Sequence, residues 1–159
     1  MKRSVSLEWL GYLLMFSSIL GLDQLVKYLA YHHLRPILSV DLWPGVFRLH
    51  YCENTGAAFS ILEGQIWFFV LLTVILSAVI LYFIAKGRVR SVWARVAMIC
   101  VLSGGIGNLI DRIFRGFVVD MFDFYLIDFA VFNVADIFVT CGSIFFVVLF
   151  LFSKGDVFD

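Results

Sequence analysis

The chain has 159 residues and no net charge, with 62% apolar side chains and only 15% charged ones. Soluble domains average about 45–50% apolar and about 25% charged residues, and a chain of this length could not bury such an excess in one core. The composition therefore excludes a soluble globular domain and predicts an integral membrane protein. The 18% aromatic content argues against disorder, and the absence of a positive net charge argues against a nucleic-acid partner.

A membrane-spanning helix needs about 20 mostly apolar residues. Four stretches meet that requirement: about 9–31, 66–85, 92–110 and 134–152. The first could be interpreted as a removable secretory signal, but it is too long and no small-residue cleavage site follows it. We therefore expect an all-α membrane fold with four transmembrane helices, forming a single integral membrane domain over residues 1–159.

The basic side chains predict the orientation of these spans. Seven of the twelve Lys and Arg residues fall on one side, at the termini and in the short 86–91 connection, and five fall on the other. Because basic residues near span ends favour the cytoplasm, both termini are predicted to be cytoplasmic. Nine of the twelve acidic residues lie on the opposite, outer side, which suggests that the function resides there.

Two outer connections follow from this topology, about 32–65 and 111–133, and loops of such length usually carry structure or function. Residues 46–51 alternate apolar and polar side chains, which is typical of a strand, and residues 43–45 before them are turn-forming. Residues 117–125 are rich in β-forming types. We expect a small extracytoplasmic β-sheet at the outer membrane surface.

Polar residues recur at helical spacing inside three of the spans, although charged groups at membrane depth are costly and tend to face a bundle interior. The spaced residues are Asp23 and Lys27; Gly104, Asn108 and Arg112; and Asn133, Asp136, Thr140 and Ser143. Seven polar residues of the chain map to one depth, the outer interface: Asp23, Asn54, Asn108, Arg112, Asp120, Asn133 and Asp136.

Each feature also has a simpler explanation. Asp23 and Lys27 could form an interfacial ion pair, Asn133 could merely cap the fourth helix, and the glycines could serve close helix packing. Two further acids, Asp123 and Asp128, are expected to be solvated loop charges. The placement of the seven polar residues at one depth is stronger evidence for a functional site than any single residue is.

The sequence argues against several kinds of catalytic site. The three histidines form no metal-binding motif, no nucleophilic serine motif occurs, and the three cysteines are widely spaced. Paired carboxylates remain: two Asp side chains held close share one proton, so that one can act as base and the other as acid. Spacing alone does not say which Asp residues pair.

Five motifs carry a resemblance to a known family. They are residues 23–27 (DQLVK), 54–60 (NTGAAFS), 104–112 (GGIGNLIDR), 118–120 (VVD) and 132–136 (FNVAD). In this order, over nearly the whole chain, they resemble the lipoprotein signal peptidase, or signal peptidase II, family.

The resemblance implies a membrane aspartyl endopeptidase, one peptidase domain over the whole chain, that cuts a prolipoprotein just before a cysteine carrying a diacylglyceryl group. By motif position, Asp120 and Asp136 are the catalytic pair. The other matching positions are expected to bind substrate or support the pair: Asp23, Lys27, Asn54, Gly56, Gly104, Asn108, Arg112, Asn133 and Ala135.

The resemblance also implies surroundings and partners. An enzyme of this family would need no cofactor and no metal. The resemblance further implies a monomer in the bacterial inner (cytoplasmic) membrane, with its active site at the extracytoplasmic face. The implied partners are lipidated prolipoprotein, membrane lipid and inhibitory cyclic peptides of the globomycin type.

Three other functions fit the sequence less well. A small four-helix proton-coupled transporter would need a carboxylate near the middle of the bilayer, and the acids here lie at outer ends. A membrane thiol oxidoreductase would need paired outer cysteines, whereas only Cys52 is outside. A noncatalytic scaffold would leave the polar cluster unexplained.

Overall fold

The computed structural model describes residues 2–56, 62–152 and 157–158, with side chains described from Leu7 onward. Its four long helices are α1 (Lys2–Leu29), α2 (Ile66–Ala85), α3 (Val92–Arg115) and α4 (Val134–Phe152). One π-helical turn, Ala30–Leu34, extends α1. All four helices are long and apolar enough to cross a membrane, so the fold predicted from composition is confirmed.

Two of the four predicted spans differ from the observed helices at their ends. The second and fourth coincide with α2 and α4, but α1 begins at Lys2 rather than near residue 9. The predicted end of the third span at residue 110 is wrong, because α3 continues to Arg115 and ends at Gly116, whose φ of +79° suits a glycine. Residues 111–115 are therefore helical.

A three-stranded antiparallel sheet lies at one end of the helices, here called the sheet end. Its strands are β1 (Ser39–Trp43), β2 (Phe47–Asn54) and β3 (Val118–Asp123), paired in that order. Gly45 takes a φ of +82° in the turn between β1 and β2. The predicted strands β2 and β3 are confirmed, whereas β1 was not singled out from the sequence.

The sheet is anchored to the end of α1. Tyr51, Val119 and Met121 from β2 and β3 form a buried cluster with Ala30 and Leu34 of the π-helical turn. Burial of these apolar side chains fixes the sheet against the helix bundle. The sheet in turn carries Asn54 and Asp120.

Helix α3 packs against each of the other three helices, and glycines permit its closest contacts. A Cβ added at Gly104 would collide with the carbonyl oxygen of Ala135 on α4, and one at Gly107 would lie 2.5 Å from Asp23 Oδ2 on α1. Gly105 is different, since an added Cβ would meet only Thr73 at 3.5 Å. The glycines at 104 and 107 therefore let the backbones and polar groups of three helices meet.

Candidate active site

A cavity of about 430 Å³ opens at the sheet end, among α2, α3, α4 and the sheet. Its walls are mainly apolar, with Phe69 from α2, Ile137 from α4 and the segment 129–132 that precedes α4. Five of the predicted site residues line it: Asn54, Asn108, Arg112, Asp120 and Asp136. The two acids of the predicted catalytic pair thus share one mostly apolar cavity.

Asp120 is held by the sheet and by the residue that precedes α4. In the β2–β3 register Asp120 faces Cys52, so Asn54 lies two residues further along the same face of the sheet. Asn54 Nδ2 donates to Asp120 Oδ2 over 2.9 Å, and Asn133 Nδ2 donates to Asp120 Oδ1 over 2.6 Å. The side chain of Asp120 is only 1% exposed, so both oxygens are fixed in a buried position.

Asp136 is held in the first turn of α4 by a reciprocal cap. Asn133 Oδ1 accepts a hydrogen bond from Asp136 N over 3.0 Å, and Asp136 Oδ2 accepts one from Asn133 N over 3.1 Å. Asn108 Nδ2 on α3 donates to the other carboxylate oxygen over 2.7 Å. Asn133 therefore does cap the helix, and the same side chain also reaches Asp120, so one residue links both acids.

The surroundings of Asp120 change its acidity. Burial, and next the charge of Asp136, raise the pKa of Asp120 to about 7, although the amide donors of Asn54 and Asn133 and the charge of Lys27 oppose the increase. A carboxyl group with such a pKa can hold a proton near neutral pH, when an ordinary Asp is ionised. The cavity can thus offer a proton donor beside a second carboxyl group.

Behind the cavity lies a buried charge network centred on Lys27. Its Nζ is 3.0 Å from Asp23 Oδ2 and 3.4 Å from Asp111 Oδ2, and it donates to Asn108 Oδ1 over 2.8 Å. Lys27 and Asp23 do form an ion pair, but both residues are fully buried, so it is not an exposed surface pair. Asn108 accepts from Lys27 with its oxygen and donates to Asp136 with its nitrogen, so the network orients that amide.

The remaining predicted residues join chain segments around the cavity. Asp23 Oδ1 accepts from Ala135 N over 2.9 Å, which ties α1 to the start of α4. Arg112 Nη2 donates to Gly56 O over 3.0 Å, and its guanidinium lies 4.9 Å from the centre of the Phe69 ring. The motif residues Ala57, Ala58, Phe59 and Ser60 lie outside the described residues.

The structure corrects one expectation about the acids and adds a residue. Asp123 is not a solvated loop charge, since it is 5% exposed and accepts from Arg48 Nε over 2.7 Å; Asp128 is exposed as expected. Asp111, not among the predicted site residues, is buried beside Lys27. Its spacing of four from Arg115 was the available sequence signal.

Within the described segments, no three His, Cys, Asp or Glu side chains are grouped so that they could hold a metal ion. The polar groups that line the cavity are amides, one guanidinium and two carboxyl groups, together with Thr140 and Cys141. This donor set favours acid–base chemistry carried by the carboxyl groups.

Comparison with known proteins agrees with the resemblance carried by the sequence motifs. The family profile described as "Signal peptidase (SPase) II" matches residues 15–152. A lipoprotein signal peptidase of Streptococcus thermophilus (strain CNRZ 1066) is 43% identical over 132 residues, covering 83% of this chain and 86% of the relative. One from Streptococcus pyogenes serotype M5 (strain Manfredo) is 41% identical over 130 residues, covering 82% and 86%.

Two solved structures share the fold at 30% sequence identity, both described as bacterial membrane enzymes. The 2.3 Å structure has a TM-score of 0.84 and covers 92% of this chain and 90% of its own. The 1.9 Å structure has a TM-score of 0.80 and covers 89% and 93%. With four spanning helices and these relatives, the chain is a multi-pass membrane protease that belongs to the signal peptidase II family.

Proposed function

We propose that this protein is an aspartyl endopeptidase that removes the signal peptide from diacylglyceryl-modified prolipoproteins and cuts just before the lipid-bearing cysteine. The observation that carries the proposal is the placement of Asp120 and Asp136 in one cavity, linked through Asn133. The names of the relatives, lipoprotein signal peptidases, support the substrate class.

In the proposed mechanism Asp120 is the starting proton donor, because burial and the charge of Asp136 raise its pKa to about 7, and Asp136 is the starting base. Asp136 takes a proton from water, whose oxygen attacks the scissile carbonyl carbon while Asp120 gives its proton to the carbonyl oxygen. The product is a tetrahedral diol, with Asp136 now protonated and Asp120 ionised.

Collapse of the diol returns Asp120 and Asp136 to their starting protonation states. The carbon–nitrogen bond breaks, the leaving amine takes the proton from Asp136, and Asp120 regains a proton from one diol hydroxyl. The chain's own residues supply every proton transfer, and the donors Asn54, Asn108 and Asn133 keep the two carboxyl groups in place throughout.

The position of the cavity suits a lipid-linked substrate. Phe69 of α2 and Ile137 and Thr140 of α4 line it, so its walls include helices that face the bilayer. The acyl chains can remain in lipid while the extended peptide enters the polar end of the cavity. We propose a monomer with cytoplasmic termini in the bacterial inner membrane, which puts the sheet end at the extracytoplasmic face.

The experiment is a paired cleavage assay with the purified protein in detergent. A diacylglyceryl-modified precursor and the same precursor without lipid are incubated in parallel, and mass spectrometry identifies the products. We expect one cut, just before the modified cysteine, in the lipidated precursor only, and inhibition by a globomycin-type cyclic peptide. Equal cleavage of both precursors, or a cut elsewhere, would refute the proposed specificity.

A further inference from the structure

Asp111 makes three contacts, one of them with the strand that carries Asp120. Its Oδ2 accepts a hydrogen bond from Val119 N over 3.1 Å and lies 3.4 Å from Lys27 Nζ, and its Oδ1 lies 2.8 Å from Arg115 Nη1. Asp111 is 1% exposed and Val119 is fully buried. A buried carboxylate with both oxygens engaged is a rigid anchor, because losing any partner would leave a charge or a donor without compensation.

Val119 immediately precedes Asp120 in β3, so the Asp111 contact fixes the strand at the residue before the acid. Asp120 in turn needs an accurate position, since its two oxygens meet amide donors at 2.6 Å and 2.9 Å from two different chain segments. A displacement of β3 by about 1 Å would lengthen both hydrogen bonds beyond their normal range.

We propose that Asp111 is a positioning residue of the peptidase site: held by Lys27 and Arg115, its carboxylate binds Val119 N and thereby sets the place of Asp120 opposite Asp136. The inference rests on the proposed function, because it assigns Asp111 a role through Asp120. Asp111 itself does not line the cavity and has no contact with the reacting atoms.

The effect of moving Asp120 is measurable because several charged or titratable groups face it. They come from every element around it: Asp136 from α4, Arg112 from α3, Lys27 from α1 and Cys52 from β2. If β3 loosens, Asp120 gains solvent and moves from Asp136, so its proton is lost at a lower pH. The alkaline decline of the pH–rate profile then shifts to lower pH.

The test compares Asp111→Ala and Asp111→Asn with Asp123→Ala, a matched loss of a buried, ion-paired acid in β3 that does not line the cavity. For Asp111→Ala we expect kcat to fall on the order of 100-fold with KM nearly unchanged, and the alkaline decline to move to lower pH. Asp111→Asn keeps an oxygen toward Val119 N, so it should recover most of the lost kcat. Asp123→Ala should change neither kcat nor the profile.

Two results would overturn the proposal. One is a profile for Asp111→Ala that matches Asp123→Ala; the other is a folded Asp111→Asn protein as impaired as Asp120→Asn, since its acceptor is retained. The second comparison holds even if Asp111→Ala does not fold. Asp120→Asn is measured in the same series: if it cleaves at the wild-type rate, the proposed function fails, whatever the Asp111 variants do.

Discussion

Replacing Asp120 by Asn should change the stability of the protein in opposite directions at low and at high pH. The wild-type carboxyl group has a pKa of about 7 when folded against an ordinary value of 3.8. Below about pH 4 it is protonated in both states and contributes no penalty. Between about pH 4 and 7 only the unfolded state ionises, so the folded state loses stability as the pH rises.

The size of this effect follows from the two pKa values. Each pH unit between them corresponds to about 1.36 kcal/mol, so the full penalty is roughly 4 kcal/mol above pH 7. The uncharged amide of the Asp120→Asn variant escapes that penalty, but it can accept from only one of the two amide donors. The oxygens of Asn54 and Asn133 are held by Gly56 N and Asp136 N, so neither amide can turn round, and the lost hydrogen bond costs about 1–3 kcal/mol.

The assay is thermal unfolding of both proteins in one detergent, from about pH 4 to about pH 8.5. Asp120→Asn should be less stable than wild type by about 1–3 kcal/mol at pH 4 and more stable by about 1–3 kcal/mol at pH 8, with the curves crossing between. For a chain of this size each kcal/mol shifts Tm by about 2–4 °C. A stability difference independent of pH would refute the argument that Asp120 is held in a protonated, buried state.

Three further substitutions test the helix packing and the buried charges that support the site. Gly104→Ala should destabilise the protein by about 1–3 kcal/mol, because the new methyl group collides with the α4 backbone. Gly105→Ala is the control and should be tolerated, since its new methyl group meets only Thr73 at 3.5 Å. Equal Tm values for the two variants would contradict the close contact at Gly104. Lys27→Met should cost about 3–5 kcal/mol, because it leaves two buried carboxylates without their shared cation, and equal Tm values for variant and wild type would contradict the buried network.

The sequence predicted most of the helical fold because bilayer-spanning helices have a strong local signature. The uncharged residues 66–85 coincide with α2. The end of α3 was missed because Asp111 and Arg112 look like exit signals in a linear reading. Both side chains have partners distant in the chain, since Asp111 pairs with Lys27 and Arg112 donates to the Gly56 carbonyl, so the helix continues through them.

The sequence also identified the polar residues of the site, but not the contacts that they make. The spacing of Asp23 and Lys27 predicted a pair, but the contacts with Asn108 and Ala135 join residues 81 and 112 positions apart, which periodicity does not reach. Asp123 was assigned to solvent for the same reason, since its partner Arg48 comes from another strand. Strand β1 did alternate apolar and polar residues and could have been identified.

The most direct measurement is the cleavage rate of a diacylglyceryl-modified precursor by purified Asp120→Asn and Asp136→Asn, with Asp123→Asn as the matched control. We expect the first two proteins to fold and insert but to cleave at the uncatalysed background, and the control to keep most of the wild-type rate. Cleavage at the wild-type rate by either Asp120→Asn or Asp136→Asn would contradict the assignment of the catalytic pair.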